Sequence, residues 1–533
     1  MKIRFFFLFV SATLLLSQNL SATHIMGGEI SWNCDSSGNY IFDVHVYRDC
    51  SGANIPPRGT LDVHNYPSAG MVVSFTLSQL SGKEFAPYCR GGGPYSCLNG
   101  DDEAIFYYHL QTNPVQLNGV PPSSGWVLTY SDNARNFNDN LVGQAGITLR
   151  AKMFDFPGRD STCFDVSPRF VAPPVSVTLS GEPFDYNPHA NDPNLDSISY
   201  EWAKPLNGIN GLFVQGVNPS PVPFQNGYSH LSPFPGPTQN PQNVVASLNQ
   251  NSGSISLENH ISGKYVAVVK ATSFSCGIRT AEIFREYQFN FVNPSVTNNS
   301  PTMQAPFLDG SGSFTSWQDT VVVGSLVSFN LNVIDLPVGT ATDSVYLFAH
   351  GLQFGDSLTN PNFGCLAPPC AALNKQLPSR SLIGNNVTFS WQTAPSHLIQ
   401  ADSCQNLLNT YSFVFVATDD KCPIPKRTER TVSITVIDSS IAGGGTNTRL
   451  NDLSTKNEIR LFPNPTKGLL TLDSPNRRIT SIVLRNIQGK VLSREANFSN
   501  NPIQLNIEQN AGLYLLEIID EDGNRAIQKV VKQ

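Results

Sequence analysis

The sequence has few charged residues and no surplus of positive ones. Only 14% of its 533 residues are charged, and 34 basic against 41 acidic side chains leave a formal net charge of −7. Neutralising the phosphates of a nucleic acid requires a basic surface. The composition therefore argues against nucleic acid as a partner.

No apolar run is long enough to cross a membrane. The clearest one, Phe5 to Leu16, follows two basic residues and precedes the small pair Ser21 and Ala22. Spanning a bilayer takes about 20 apolar residues, whereas this shorter pattern is typical of a cleaved secretory signal. We expect a signal peptide at 1–22 and a mature chain that is soluble or surface-attached. A short retained anchor is the less favoured alternative.

Signature sequences of enzymes and zinc sites are also absent. The chain has no Gly-x-Ser-x-Gly elbow, no His-Glu-x-x-His pair, no phosphate-binding loop and no Cys-x2-Cys spacing. Acidic runs at 101–103, 419–420 and 520–522 could serve glycoside hydrolysis only if they paired across a cleft. Solvated turns are the favoured interpretation. We predict no catalytic residue.

What the sequence does contain favours short strands joined by turns. It has 40 Gly, 38 Pro and 32 Phe, and strands alternate apolar and polar residues as Tyr40 to Tyr47 do. A chain of this length suggests roughly three to five domains. The predicted fold class is all-β, with tandem Ig-like or PKD-like β-sandwiches and a small C-terminal β-sandwich.

The ten cysteines form an even set in a chain expected to be exported, which indicates disulfides. Connectivity cannot be read from sequence. Short separations make four local pairs plausible, namely Cys34–Cys50, Cys89–Cys97, Cys365–Cys370 and Cys404–Cys422.

The first predicted β-domain covers 23–165. It contains the segments His24–Ile30 and Val46–Gly52, with sequences HIMGGEI and VYRDCSG. These segments resemble the opening of large Bacteroidetes surface proteins, some of which are associated with gliding motility. The resemblance names no activity. Tyr107, Tyr108, Trp126 and Tyr130 are candidates for stacking on glycans, with core packing as the stronger alternative.

An internal repeat predicts two further domains, at 166–295 and 299–438. The segments 167–173 and 300–306 share five identical or similar residues in seven positions, and later matches follow in the same order. Each unit has the size of an Ig-like sandwich. Chance similarity between two β-domains is the alternative.

The segment from Phe184 to Trp202 resembles the early strand and loop of PKD-like or cadherin-like modules. In such a module Trp202 would be a core aromatic. Asp192, Asn194 and Asp196 alternate in this loop, so their oxygens could converge on calcium. Capping of turns by their own backbone is the favoured alternative. No other cofactor is expected.

A flexible linker at 439–456, with three consecutive glycines, precedes the last predicted domain at 457–533. This domain has a Pro-Asn-Pro opening, a Gly-Leu-Tyr strand and a basic end. Together these features resemble the type A sorting domain of the type IX secretion system. The positions that carry the resemblance are Pro463, Asn464, Pro465, Gly468, Gly489, Gly512, Tyr514, Lys529 and Lys532.

The resemblance implies recognition by the type IX translocon of a Gram-negative, Bacteroidetes-like cell. It also implies passage through the periplasm, and then release or attachment to surface lipopolysaccharide. The sequence thus predicts an exported, noncatalytic surface or secreted protein for adhesion, binding of a glycan or protein, or gliding-related display. The alternative is a secreted protease or glycosidase with a catalytic N-terminal domain.

Overall fold

The computed structural model describes residues 24–438 and 460–533, apart from gaps at 88, 90–92, 94, 144, 157–162, 176, 297, 310–312, 337–342, 355–363, 399, 402–403, 406–407, 475–477, 487–490, 497, 499–501 and 522–524. Side chains at 400–408 and 525–527 are likewise outside this description. The predicted signal peptide at 1–22, the linker at 439–456 and Gly489 lie outside the described residues. Within the described ranges, no helix is long and apolar enough to cross a membrane.

The chain is all-β and is built from tandem β-sandwiches, as predicted. Its first part contains sixteen strands: β1 (Ile25–Cys34), β2 (Tyr40–Asp49), β3 (Arg58–His64), β4 (Val72–Phe85), β5 (Ile105–Thr112), β6 (Trp126–Asp132), β7 (Ile147–Met153), β8 (Arg169–Phe170), β9 (Thr178–Leu179), β10 (Pro183–Tyr186), β11 (Ala190–Asn191), β12 (Ser197–Trp202), β13 (Val244–Leu248), β14 (Ile255–Glu258), β15 (Gly263–Ser275) and β16 (Ile278–Val292).

One eleven-stranded sheet joins the predicted domains 23–165 and 166–295. Its order is β1-β2-β5-β4-β3-β6-β7-β16-β15-β12, with β9 beside β16. A three-stranded sheet, β10-β14-β13, packs against it, and one apolar core includes Trp32 and Trp126 together with Tyr265 and Phe289. The predicted boundary at 165/166 therefore does not separate two sheets or two cores.

A buried ion pair lies in the centre of this sheet. Arg285 of β16 donates two hydrogen bonds to Glu29 of β1, Nη2 to Oε1 at 2.5 Å and Nε to Oε2 at 3.0 Å. Tyr47 Oη of β2 donates to the same Oε1 at 2.8 Å. All three side chains are almost fully buried. The pair links the segment HIMGGEI to a strand about 250 residues later in the chain.

Two glycines allow the close approach of these strands. A Cβ at Gly27 would lie 2.0 Å from the carbonyl oxygen of Glu286, and one at Gly28 would lie 2.2 Å from that of His45. Such contacts are sterically forbidden, so any other residue at either position would push the strands apart. The Gly-Gly pair of the HIMGGEI segment is thus required by the packing of the sheet.

The second sandwich contains thirteen strands: β17 (Thr302–Met303), β18 (Phe307–Leu308), β19 (Phe314–Ser316), β20 (Gln318–Val322), β21 (Leu326–Ile334), β22 (Ser344–His350), β23 (Ala372–Leu373), β24 (Ser379–Leu382), β25 (Gly384–Gln392), β26 (Gln400–Ala401), β27 (Cys404–Gln405), β28 (Leu408–Thr418) and β29 (Arg427–Ile437). A short 3-10 helix spans Pro395–His397. The sheets β17-β21-β25-β23 and β20-β29-β28-β22-β24 enclose a core around Trp391, Phe389 and Phe413.

The two units share a strand arrangement. In the first, β9 runs parallel to β16, which pairs in turn with β15 and then β12. In the second, β20 runs parallel to β29, which pairs with β28 and then β22. A duplicated unit would produce this correspondence. The first copy differs because β16 also pairs with β7 and β1 of the N-terminal region.

Three of the four predicted disulfides are wrong. Cys365–Cys370 forms as expected, but Cys34 bonds Cys163, Cys50 bonds Cys97, and Cys89 bonds Cys422. The hairpin β1–β2 explains the first error, because Cys34 lies at its turn and Cys50 beyond its open end, roughly 30 Å away. Cys276 is also disulfide-bonded, and the side chain of Cys404 lies outside the described set.

The Cys89–Cys422 disulfide joins the second sandwich to the first across 333 residues of sequence. Near it, Lys426 Nζ donates to Glu182 Oε1 at 2.5 Å. The remaining polar contacts of this junction include Asn187 Nδ2 to Thr431 Oγ1 at 2.8 Å, Ser254 Oγ with Thr431 Oγ1 at 3.2 Å, and the ion pair Arg430–Asp185.

The C-terminal domain has seven strands: β30 (Arg460–Phe462), β31 (Leu469–Asp473), β32 (Ile479–Asn486), β33 (Val491–Ala496), β34 (Ile503–Asn506), β35 (Gly512–Asp520) and β36 (Arg525–Lys532). They form the sheets β30-β31-β34 and β33-β32-β35-β36. Leucine and isoleucine side chains of both sheets, with Tyr514 and Val530, fill the core between them. This is a small sandwich, as the sequence predicts.

Candidate functional site

The Pro-Asn-Pro opening of the C-terminal domain is fixed to the last strand by one amide side chain. Asn464 Nδ2 donates to the carbonyl oxygen of Lys529 at 2.6 Å, and the amide N–H of Val531 donates to Asn464 Oδ1 at 2.9 Å. The Asn464 side chain therefore uses its donor and its acceptor together, as a backbone amide does between paired strands. Pro463 and Pro465 flank it and face solvent.

The turn that follows is held by Thr466 and Gly468. The amide N–H of Thr466 donates to the carbonyl oxygen of Val531 in β36, its carbonyl oxygen accepts from the amide N–H of Gln533, and its hydroxyl donates to the carbonyl oxygen of Leu469 at 2.6 Å. The amide of Gly468 donates back to that hydroxyl at 3.0 Å. Gly468 has φ +130°, a backbone conformation that favours glycine. These contacts explain why the motif ends in glycine.

Three other positions of the predicted sorting motif make contacts within the same C-terminal domain. Tyr514 is buried, and its hydroxyl donates to the carbonyl oxygen of Asn510 at 2.6 Å. Lys532 Nζ donates to the carbonyl oxygens of Ile507 and Gln509 at 2.7 and 2.5 Å. Gly512 begins β35, opposite Lys532.

An exposed rim results from this arrangement. Phe462 is 49% exposed, and Pro463, Pro465, Lys467 and Lys529 are exposed around it. Because the loop is bonded to the final strand, the rim has a defined shape before any partner arrives. It offers apolar and cationic groups on a rigid support, which suits recognition by another protein.

The Asx loop at 192–196 is built as a capped turn. Asp192 Oδ1 accepts the amide N–H of Asn194 at 2.8 Å, and Asn194 Oδ1 accepts that of Val166 at 2.9 Å. Burial, reinforced by the charges of Asp165 and Asp196, raises the pKa of Asp192 well above its usual range. In the described part of the chain, no three His, Cys, Asp or Glu side chains are grouped to hold a metal ion. Calcium binding here stays a prediction.

The aromatic candidates of the first region are core residues. Tyr107, Tyr108, Trp126 and Tyr130 are all buried, so they present no stacking face to a glycan. Trp202, which the sequence assigned to a core, is only half-buried and touches the core with one side. Trp202 lines a cavity between the sheet and the loop at 203–243.

The acidic pair at 419–420 is not a solvated turn. Both side chains are buried, and Asp419 accepts the amide N–H groups of Lys421 and Lys426 at 3.0 and 3.1 Å. Desolvation raises the pKa of Asp419 to about 7. These carboxylates lie at the junction of the two sandwiches, where Asn298 Nδ2 donates to Asp419 Oδ2 at 2.6 Å.

Solved structures resemble the chain only weakly. The fibronectin(III)-like modules of CbhA from Clostridium thermocellum show 12% identity and a TM-score of 0.14, over 44% of this chain and 94% of that one. The cadherin-like domains 1 to 4 of zebrafish RET show 11% identity and a TM-score of 0.12, over 85% and 95%. TM-scores of this size do not support a structural relationship. No curated protein matches the chain.

The C-terminal domain does match a known family. Residues 460–533 fit the family described as secretion system C-terminal sorting domain. The match covers the strands β30 to β36, the Pro-Asn-Pro loop and the basic end. Residues 460–533 of this chain therefore carry a type IX secretion C-terminal sorting signal.

Proposed function

We propose that this protein is exported through the type IX system to the outer surface or the medium, and that it acts there as a noncatalytic binding protein. Its role would be adhesion or gliding-related display in a Bacteroidetes-like cell. The observation that carries the proposal is the sorting signal at 460–533, with its preformed rim beside the last strand.

The body upstream of the signal supports a role outside the cell. Disulfides Cys34–Cys163 and Cys50–Cys97 cross-link the first sandwich, and Cys89–Cys422 connects the two sandwiches. Disulfides form and persist in oxidising compartments. A cross-linked pair of sandwiches is suited to hold binding faces in fixed positions.

The partners follow from the two parts of the chain. The translocon would contact the exposed rim around Phe462 and Lys529. After export the signal would be removed, or the protein attached to surface lipopolysaccharide. The body would bind a glycan or a protein ligand.

Deletion of residues 460–533 tests the export step. In a strain with an active type IX system, the full chain should occur at the surface or in the medium. The deleted chain should accumulate in the periplasm, still disulfide-bonded. Equal export of the two chains would remove the basis of the proposal.

The noncatalytic role is tested on the exported full chain. We expect retention on cell surfaces or on immobilised polysaccharides, without turnover of peptide or polysaccharide substrates. Steady hydrolysis of any of these substrates by the purified chain would instead favour the secreted hydrolase.

A further inference from the structure

A long loop covers one face of the first sheet. From residue 203 to residue 243 the chain contains no strand, although structureless loops longer than roughly 15 residues are uncommon in compact domains and are often functional. Two side chains of the preceding region hold the loop. Arg135 Nη2 donates to the carbonyl oxygen of Leu206 at 2.6 Å, and Asn140 Nδ2 donates to the carbonyl oxygen of Pro233 at 2.8 Å.

Between this loop and the sheet lies a cavity of 420 Å³. Small-molecule sites have volumes of roughly 300–1,000 Å³, so the space is of the right size for a ligand. The loop tip is held in place, because Asn218 Nδ2 donates to the carbonyl oxygens of Asn210 and Leu212 at 2.8 and 2.6 Å. The cavity is therefore formed before any ligand enters.

The floor of the cavity is a row of side chains across five neighbouring strands. Thr129 pairs with Arg150 between β6 and β7, Phe284 pairs with Lys270 between β16 and β15, and Lys270 pairs with Glu201 of β12. The Arg150 guanidinium lies 4.1 Å from the centre of the Phe284 ring, which connects the two halves of the row.

Among the described residues, two cations that line this cavity have no carboxylate at ion-pair distance. The buried Glu282 pairs with Lys152 at 3.1 Å and with Lys270 at 3.5 Å, so its charge is already balanced. In the part of the chain that the structure describes, neither Arg150 nor Lys204 forms an ion pair; Arg150 Nη2 donates only to the carbonyl oxygen of Lys204, at 3.3 Å. The cavity therefore has a local surplus of positive charge, although the net charge of the whole chain is −7.

Aromatic rings border the same space. Trp202 is half-buried and contacts Phe234 edge-to-face at 6.3 Å, which leaves part of the indole facing the cavity. Phe213 of the loop stacks on His64 at 3.8 Å and lines the opposite side. Flat apolar surfaces beside polar groups are what a sugar ring can use, since it has an apolar face and a polar edge.

We propose that this cavity binds an acidic saccharide, with Arg150 and Lys204 holding the carboxylate and Trp202 contacting the sugar ring. The guanidinium is suited to a carboxylate because it offers two parallel N–H donors. An acidic peptide would satisfy the cations but would make less use of the ring surfaces. The proposal deepens the binding role proposed above and depends on it.

The test is calorimetric titration of the full chain with tetragalacturonate, maltotetraose and tetraglutamate. We expect tetragalacturonate to bind, with an affinity that falls as salt is raised, and the other two to bind at least tenfold more weakly. Lys204→Gln and Arg150→Gln should each weaken binding by about tenfold. Lys83→Gln, which removes an exposed cation outside the cavity, should change affinity by less than about twofold.

Trp202→Ala should also weaken binding, and thermal melting of each variant separates lost contacts from lost fold. Equal affinity for maltotetraose or tetraglutamate would overturn the assignment of an acidic saccharide. Tetragalacturonate binding that survives both cation substitutions would place the ligand elsewhere and leave the general binding role standing. No binding of tetragalacturonate would refute the cavity proposal, while retention on cell surfaces tests the broader role separately.

Discussion

Loss of the Cys89–Cys422 disulfide should affect stability more than loss of any short-range link. The two cysteines are 333 residues apart and connect the first sandwich to the second. Cys365–Cys370 closes a loop of only 5 residues inside the second sandwich. Replacing each pair by serine therefore compares a long and a short constraint in the same chain.

The chain-entropy relation gives the expected difference. Closing the longer loop restricts the unfolded chain by about 6 kcal/mol at 25 °C, and closing the shorter one by about 2 kcal/mol. The disulfides whose two cysteines are both described shorten the long loop only modestly, which changes the value by about 0.2 kcal/mol because the dependence is logarithmic. The two double variants should therefore differ by about 4 kcal/mol.

Urea unfolding followed by circular dichroism measures this difference under non-reducing conditions. We expect the Cys89→Ser/Cys422→Ser variant to unfold in two separated transitions, because the ion pairs Lys426–Glu182 and Arg430–Asp185 across the junction are partly exposed and contribute about 1 kcal/mol each. The free energies of all transitions are therefore summed before the two variants are compared. Equal losses in the two variants would refute the reasoning. Peptide mapping that finds Cys422 bonded to another cysteine would refute the connectivity itself.

Three further predictions concern single side chains. Glu29→Gln should lower the free energy of unfolding by about 3–5 kcal/mol, because it leaves the buried Arg285 without its anion. The shift of the urea unfolding midpoint measures this loss. Burial raises the pKa of Asp335 to about 6, against about 3.9 in an unfolded chain. Ionisation of this carboxyl should therefore lower stability as pH rises from about 4 to 6, and Asp335→Asn should make the fall smaller and gain about 2 kcal/mol at pH 8 in the same assay. Asn464→Ala should remove both bonds to β36 and cost about 1 kcal/mol of domain stability, and quantitative immunoblotting of cell fractions should show reduced export.

Strand identity could be predicted from sequence because apolar residues repeat with a period of two. The alternating segment Tyr40 to Tyr47 lies within β2, as predicted. What the pattern could not show is that β16 is buried on both faces. Its polar residues Arg285 and Glu286 have partners far away in sequence, Glu29 and Arg135. Local periodicity carries no information about such partners.

The disulfide errors have a similar origin. Short separation in sequence favours pairing, but an antiparallel hairpin places Cys34 and Cys50 at opposite ends. Cys50 instead meets Cys97 because Asp49 lies opposite Ile105, the first residue of β5. Only the strand register, which is a property of the folded sheet, brings these cysteines together.

The cavity could not be predicted from sequence because its parts are distant along the chain. A tryptophan in a strand usually packs inside, so the sequence predicts Trp202 in the core. Arg150 lies about 50 residues before it, and the two meet only through the pairing of β7, β16, β15 and β12. The long strandless stretch at 203–243 was the one local signal that could have indicated a site.

The export signal, by contrast, could be identified from sequence, because its contacts lie within one small domain. Fusion of residues 439–533 to a signal peptide and a periplasmic reporter tests it most directly, in cells with and without a working type IX translocon. We predict reporter at the surface or in the medium only when the translocon works, and less of it with Asn464→Ala. A reporter that stays in the periplasm of translocon-positive cells that export the full chain would contradict the claim.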